Sequence, residues 1–417
     1  MDIKRDLYLQ ELKNKQGNGL IKVVTGIRRC GKSYLLFNIF YDYLIKSGVK
    51  KNHIIKMQLD DLKNKKYRKA EVLMDYIENQ IKDNDIYYIL LDEVQMLEEF
   101  EEVLNSLLHI KNTDIYVTGS NSKFLSKDII TEFRGRGDEI HIFPLSFSEF
   151  MSVYKGDKYD GWNEYLTYGG LPMILSMKTD KDKSNYLNHL FKETYIKDIV
   201  ERNNIKGEAE LEELINILSS SIGSLTNPTK LYNTFKSIKN VDISQQTIIN
   251  YLSYLEDSFL INKAMRYDVK GKKYIATPQK YYFEDVGLRN ARLNFRQQEH
   301  NHIMENIIYN ELRYRGYNVD VGVVDVRVKD KDGNYSKTKL EIDFVANQGS
   351  KKYYIQSAFR LSDEEKTYQE QRPLISVRDS FKKIIIVGEK IKLNRDEQGI
   401  VVIDIFDFLL NPNSLDL

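Results

Sequence analysis

The run Gly26-Ile27-Arg28-Arg29-Cys30-Gly31-Lys32-Ser33 sets two glycines ahead of a Lys-Ser pair at the spacing of a loop that wraps phosphates with its backbone N–H groups. Its flanks narrow the fold further. Leu20-Ile21-Lys22-Val23-Val24-Thr25 reads as a buried strand, and Tyr34-Leu35-Leu36-Phe37-Asn38-Ile39-Phe40 opens a helical pattern, so the loop joins a strand to a helix N-terminus. Gly26 and Gly31 let the backbone close on the phosphates, Ile27, Arg28, Arg29 and Cys30 span the turn between them, and Tyr34 follows on the first turn of the helix. Lys32 is expected to reach the β- and γ-phosphates and Ser33 to hold Mg²⁺, with the positive end of the helix dipole behind them. ATP or GTP is the implied ligand, with ATP the expected one.

A second nucleotide signature follows. Tyr87-Tyr88-Ile89-Leu90-Leu91 is an apolar run ending in Asp92-Glu93, the form of a strand whose carboxylates emerge at the C-terminal edge of a parallel sheet. Asp92 is the expected Mg²⁺ ligand, and Glu93 the group that orients and deprotonates the attacking water. Two acids at a strand end are common, but behind a phosphate loop they point to hydrolysis. The next strand, Ile115-Tyr116-Val117-Thr118, delivers Gly119-Ser120-Asn121-Ser122 to the same edge, where Asn121 is the expected sensor of the γ-phosphate. Arg136, in Phe133-Arg134-Gly135-Arg136-Gly137 before a last core strand, suits a finger inserted into a neighbouring subunit's site, which implies a homo-oligomer.

The set GIRRCGKS, LLDEVQ, VTGSNS and FRGRG, followed by FPLSFSEF and Tyr168-Gly169-Gly170-Leu171-Pro172, resembles a group of bacterial and archaeal AAA+-type ATPases in which a C-terminal domain of unknown function follows the ATPase core. The resemblance continues through Tyr195 to Arg202 and Lys280 to Arg289 and ends in Glu341-Ile342-Asp343-Phe344, so it covers nearly the whole chain. It implies an architecture more firmly than a substrate.

The chain has 417 residues, which predicts two or three domains. No apolar stretch approaches the roughly 18 residues of a membrane span, and the N-terminus lacks a signal-peptide core, so a cytoplasmic protein without a membrane partner is expected. The single cysteine, Cys30, excludes an intrachain disulfide framework. With 62 basic and 61 acidic residues the net charge is +1, so overall electrostatics does not announce a nucleic-acid binder and local clusters must carry that case.

Past the ATPase core the pattern turns helical. Leu211, Leu214, Ile215, Ile217 and Leu218 carry an apolar helical pattern, Asn227-Pro228 starts a shorter helix, and Ser244-Gln245-Gln246-Thr247 opens a third with Ile248, Ile249, Tyr251, Leu252 and Leu255 expected on its buried side. This spacing resembles a winged helix-turn-helix, with the strand from Phe259 and the stretch Arg266 to Tyr274 as the wing. In such a module Gln245, Gln246 and Asn250 face a DNA groove, and Lys270, Lys272 and Lys273 touch phosphate. Packing or dimerisation is the alternative use of such a fold.

Farther on, a helix acid, Glu305, a strand acid, Asp343, and a polar strand position, Gln356, resemble in order the restriction-endonuclease-like nuclease core, whose acids hold a metal. Gln356 stands where that core has an acid and Ala358 where it has a lysine. A neutral amide is a poor Mg²⁺ ligand and alanine polarises nothing, so the domain reads as a degenerate nuclease fold kept for binding, with Lys351 or Lys352 as substitute lysines in the active alternative.

The expected architecture is α/β: a parallel-sheet P-loop core over residues 1–150, a helical connector over 151–205, a winged helix over 206–292 and a restriction-endonuclease-like domain over 293–417. The expected function is Mg²⁺-dependent ATP hydrolysis coupled to DNA binding, branched or broken DNA included. The alternatives are an ATP-licensed metal-dependent nuclease and a nucleotide-gated protein-interaction switch.

Overall fold

A computed structural model of the chain describes residues 3–119, 135–239, 243–297, 299–329 and 335–417. They form two compact units, residues 1–144 with 257–259, and residues 145–256 with 260–417.

The first unit is built on a five-stranded sheet of β1 (Ile21–Thr25), β2 (Ile54–Gln58), β3 (Tyr87–Asp92), β4 (Thr113–Thr118) and β5 (Gly137–His141). Their order is β2-β3-β4-β1-β5 and every pairing is parallel. Parallel strands covered on both faces read as continuous apolar runs, which is why β1 and all of β3 except Tyr88 are buried. One cation breaks that run. Lys22 is fully buried on β1, bonded to Asp114 on the neighbouring β4, whose other carboxylate oxygen accepts the Tyr116 hydroxyl at 2.9 Å. A buried ion pair of this kind needs both partners, since either alone would be an unmatched charge. The C-terminal edge of the sheet receives the loops that follow β1, β3 and β4, where open α/β sheets bind ligands.

The second unit holds an eight-stranded mixed sheet, β12-β13-β11-β10-β9-β8-β6-β7, in which β6 (Ile261–Asp268) and β7 (Lys273–Phe283) form the hairpin expected as a wing. The expected boundary at residue 292 therefore runs through one sheet. The hairpin is joined to the C-terminal strands because β6 pairs in parallel with β8 (Asn318–Lys329), and Val269, just beyond β6, packs in one apolar cluster with Val324, Ile342 and Tyr354. Periodicity marks a strand but not its partner. The remaining strands are β9 (Tyr335–Gln348), β10 (Lys351–Ala358), β11 (Lys382–Val387), β12 (Asn394–Arg395) and β13 (Val401–Asp404).

The helices Glu208–Ser220, Pro228–Thr234 and Gln245–Asp257 precede this hairpin in the expected order, and Thr226 bridges Gln279 of β7. Two sequence motifs meet in the same unit. Asp285 caps the helix Val286–Arg292 by accepting from the Leu288 N–H at 3.0 Å and also accepts from the Gly170 N–H at 2.7 Å. A Cβ on Gly287 would lie 2.0 Å from the Tyr168 carbonyl oxygen, so only glycine permits this approach. Burial pushes the Asp285 carboxyl up to about 6 against the pull of those N–H groups. The Gly-Gly-Leu-Pro and Glu-Asp-Val-Gly-Leu-Arg-Asn segments are thus two halves of one packing joint.

Candidate active site

The loop after β1 has the backbone its glycines allow. Gly26 has φ +136° and Gly31 φ +107°, and a Cβ on Gly26 would lie 2.2 Å from the Ile142 carbonyl oxygen. Arg29, between them, also has a positive φ of 67°. The helix begins at Lys32, continues through a wider π-type turn over Leu35–Phe40, and ends at Lys46. Ile27 and Cys30 are buried, Arg28 is half-buried, and Arg29 and Tyr34 are exposed. The Lys32 ammonium donates to the Gly26 carbonyl at 2.9 Å and the Ile27 carbonyl at 3.0 Å.

Strand order explains what faces this loop. β4 lies between β1 and β3, so the residue ending β4 separates the phosphate loop from Asp92. That residue is Thr118. Its hydroxyl donates to Asp92 Oδ1 and accepts the Glu93 backbone N–H at 3.0 Å, while Ser33 Oγ donates to the same Asp92 oxygen at 3.1 Å. Asp92 is 1% exposed, and burial pushes its carboxyl above the ordinary range, with the Thr118 and Ser33 hydroxyls holding it down. Glu93 takes a left-handed φ of 51° that turns it off the strand, and the Gln95 amide donates to its Oε2. Sequence reasoning singled out neither Thr118 nor Gln95. The usable signal for Thr118 was its place at the end of a strand on the ligand edge.

The donor set fits Mg²⁺: a serine hydroxyl and a carboxylate, both hard oxygens, meet beside the phosphate loop. Asn121 lies outside the described residues. Arg136 is exposed, and its carbonyl accepts the Ile21 N–H at 2.9 Å at the start of β1 and β5. That is the N-terminal edge of the sheet, at the other end of β1 from the phosphate loop.

The second group of predicted residues also comes together. The helix His300–Tyr314 docks on β7 because Asn306, fully buried, completes the end of that strand: its Oδ1 accepts the Phe283 N–H and its amide donates to the Phe283 carbonyl, both at 2.8 Å. This sets Glu305 beside Lys280 and Tyr282, which share a face of β7. Lys280 Nζ lies 2.8 Å from Glu305 Oε1, 2.8 Å from Glu341 Oε1 and 3.8 Å from Asp343 Oδ1, and the Tyr282 hydroxyl donates to Glu305 at 2.6 Å. Burial pushes the Lys280 ammonium down, but the Glu305, Asp343 and Glu341 carboxylates outweigh it and leave it above its ordinary value. Burial and the Glu305 charge hold the Asp343 carboxyl above the carboxylate range, against Lys280 and the Ser357 N–H, whereas Glu305 lies below it because Lys280, His302 and Tyr282 overcome its burial. Gln356 does join this cluster, accepting the Asp343 N–H at 2.8 Å, yet its amide turns away to donate to Glu370 at 3.0 Å. The substitute lysines lie elsewhere: Lys351 pairs with Asp416, and Lys352 sits over the Tyr267 and Phe381 rings.

The predicted DNA contacts are surface residues. Gln245, Gln246 and Asn250 are exposed along the helix Gln245–Asp257, with Gln246 donating to Asn250 at 3.0 Å, and Lys270, Lys272 and Lys273 are exposed at the turn between β6 and β7. Lys270 donates to the Asp325 carbonyl at 2.6 Å. No helix among the described residues is long and apolar enough to cross a membrane.

Residues 18–151 match the family of an AAA domain, and residues 159–299 match a domain of unknown function, DUF8612. An uncharacterized protein of Haemophilus influenzae is 34% identical over 98% of this chain and 98% of its own length. An uncharacterized protein of Methanocaldococcus jannaschii is 30% identical over 87% of this chain and 79% of its own. Among solved structures, the Aeropyrum pernix Orc1 protein in complex with DNA covers 70% of this chain and 92% of that one at 10% identity and a TM-score of 0.29, too weak a likeness to carry an argument. The AAA match and the parallel sheet with its phosphate loop agree on an AAA-type P-loop ATPase core.

Proposed function

From the premise that this chain carries an AAA domain and belongs to one family with those Haemophilus influenzae and Methanocaldococcus jannaschii relatives, we propose that it hydrolyses ATP at the loop after β1 and couples that cycle to DNA. The hydrolytic half is carried by one observation: Ser33, Asp92, Thr118 and the Glu93 backbone form a continuous run of hydrogen bonds beside the phosphate loop. Lys32 exchanges its two carbonyl partners for the β- and γ-phosphates, a gain because a formal charge replaces a dipole. Bound Mg²⁺, held by Ser33 and Asp92, supplies charge neutralisation for the phosphates. Glu93 accepts the proton of the attacking water, and Gln95 fixes the orientation of its carboxylate. Asn121 contacts the γ-phosphate, and Arg136 enters the site of a neighbouring copy in a homo-oligomer.

The DNA half rests on exposed groups in the element order of a winged helix. Gln245, Gln246 and Asn250 offer amide pairs suited to base edges, and Lys270, Lys272 and Lys273 offer ammonium groups for phosphate, with the 62% exposed Tyr274 beside them. ATP turnover measured against duplex, single-stranded and junction DNA tests the coupling. Stimulation by at least one form is expected, weakened by added salt and by the combined Lys270→Ala, Lys272→Ala and Lys273→Ala change. Turnover indifferent to every form, with no retention on DNA at low salt, rejects the DNA half and leaves the ATPase half standing. For Arg136→Ala, ATP affinity is expected to hold while turnover falls, and mixing with Glu93→Gln subunits should restore part of it. Unchanged turnover rejects the finger.

A further inference from the structure

We propose that Lys280 is the resident cation of the Glu305, Glu341 and Asp343 cluster, so that this site, unlike the nuclease core it resembles, takes up no divalent metal. A Mg²⁺ or Mn²⁺ shared by two of these carboxylates would sit about 2.1 Å from their oxygens, in the gap between the helix His300–Tyr314 and β9. That gap holds the Lys280 ammonium, 2.8 Å from both Glu305 Oε1 and Glu341 Oε1 and 3.8 Å from Asp343 Oδ1. An ion entering beside it would meet a fixed like charge in a water-poor setting, where repulsion is least screened.

Two of the oxygens carry further partners. Glu305 Oε1 also accepts the Tyr282 hydroxyl at 2.6 Å, and Asp343 Oδ2 accepts the Ser357 N–H at 2.8 Å. The third post of the nuclease pattern contributes nothing, because the Gln356 carbonyl is bonded to the Asp343 N–H and its amide to Glu370. Nor is the lysine poised to leave. It is 3% exposed, and the Asn306 latch on Phe283 fixes the strand that carries it. An ammonium has three hydrogens, and here three carboxylates surround it. The donor set is that of an internal salt cluster pinning β7 and the helix His300–Tyr314 to β9. With the ammonium in place it does not fit a metal centre.

The test is Mn²⁺ binding to the full chain, followed by the electron paramagnetic resonance of free Mn²⁺, without nucleotide and in an Asp92→Asn background that removes the ligand of the phosphate-loop site. With Lys280 present, no Mn²⁺ dependent on Asp343 is expected. Lys280→Met, similar in length but uncharged, should create a Mn²⁺ site at least about tenfold tighter than anything Lys280-bearing protein shows, and adding Asp343→Asn should abolish it. Circular dichroism shows whether the variant is folded; if Lys280→Met is not, Lys280→Gln takes its place. Mn²⁺ bound by the Lys280-bearing chain and lost on Asp343→Asn overturns the inference. So does a folded Lys280 variant that binds none. Neither outcome touches the ATPase reading, whose residues lie in the other unit.

Discussion

The chain places a lysine near carboxylates twice, and the two lysines have different company. Lys32 donates to two backbone carbonyls of its own loop, and the acids nearby, Asp92 and Glu93, are held by hydroxyls and an amide. Lys280 is enclosed by Glu305, Glu341 and Asp343. A carbonyl dipole is a weak partner that a phosphate can replace, whereas Lys280 and the two carboxylates at 2.8 Å form an ion cluster that neither side leaves without a cost in unmatched charge. On the two readings proposed above, the same residue types give an exchangeable site in one unit and a closed one in the other. What separates them is whether the cation's partners are dipoles or formal charges.

The sharpest way to break that contrast is to neutralise one acid at each site. Glu93→Gln is expected to lower ATP turnover by roughly 10²- to 10⁴-fold, the usual worth of a general base, while ATP affinity and melting temperature stay close to those of the parent. Glu305→Gln is expected to do the reverse, costing about 3–5 kcal/mol of stability by disrupting a buried ion cluster while leaving turnover per folded molecule unchanged. Steady-state ATPase assays and thermal melts on both variants decide the matter. A turnover loss in Glu305→Gln, or a stability loss of that size in Glu93→Gln, erases the distinction.

The two regions also differ in how far the sequence discloses them. The phosphate loop is contiguous, so Gly26 through Ser33 carry the geometry in their own order, and Asp92 was recoverable because an apolar run delivers it to the ligand edge. The Lys280 cluster draws on β7, the helix His300–Tyr314 and β9. Glu305 and Asp343 were legible as an ordered pair of acids, but nothing local ties Lys280 to them; the tie is the Asn306 latch, visible only once helix and strand are packed. The hairpin of β6 and β7 repeats the lesson. Its alternation was readable and its parallel pairing with β8 was not, because periodicity gives a strand's faces and says nothing of its neighbour. Thr118 escaped notice for the same reason, since its role comes from β4 lying between β1 and β3.

Thr118 sharpens the comparison at the open site. Its hydroxyl helps hold the Asp92 carboxyl down against burial, so Thr118→Val should raise that carboxyl further. Asp92 must be ionised to serve the cation, and turnover is lost as pH falls through its titration; the acid limb of the pH–rate profile should therefore move to higher pH. Turnover at acidic pH should fall more than turnover at alkaline pH, because the smaller ionised fraction of Asp92 is what the change affects. An unmoved acid limb would mean that Thr118 only packs.

At the closed site the corresponding titration runs the other way and is the subtlest expectation. Burial and the Glu305 charge hold the Asp343 carboxyl above the range it has in the unfolded chain, despite Lys280. Between those two values the folded protein binds the extra proton, so stability must fall as pH rises through that window. Asparagine carries no such proton. Melting temperatures of parent and Asp343→Asn, taken from about pH 6 to about pH 9, should show a decline in the parent that the variant lacks. Were Asp343 instead depressed by Lys280 and already ionised, its stabilisation would be lost as pH falls and the two proteins would show the same slope across this window. The difference matters for the cluster as a whole. A protonated Asp343 leaves Glu305 and Glu341 as the charged partners of Lys280, the two whose oxygens stand at 2.8 Å, and makes the third carboxyl a neutral neighbour at 3.8 Å.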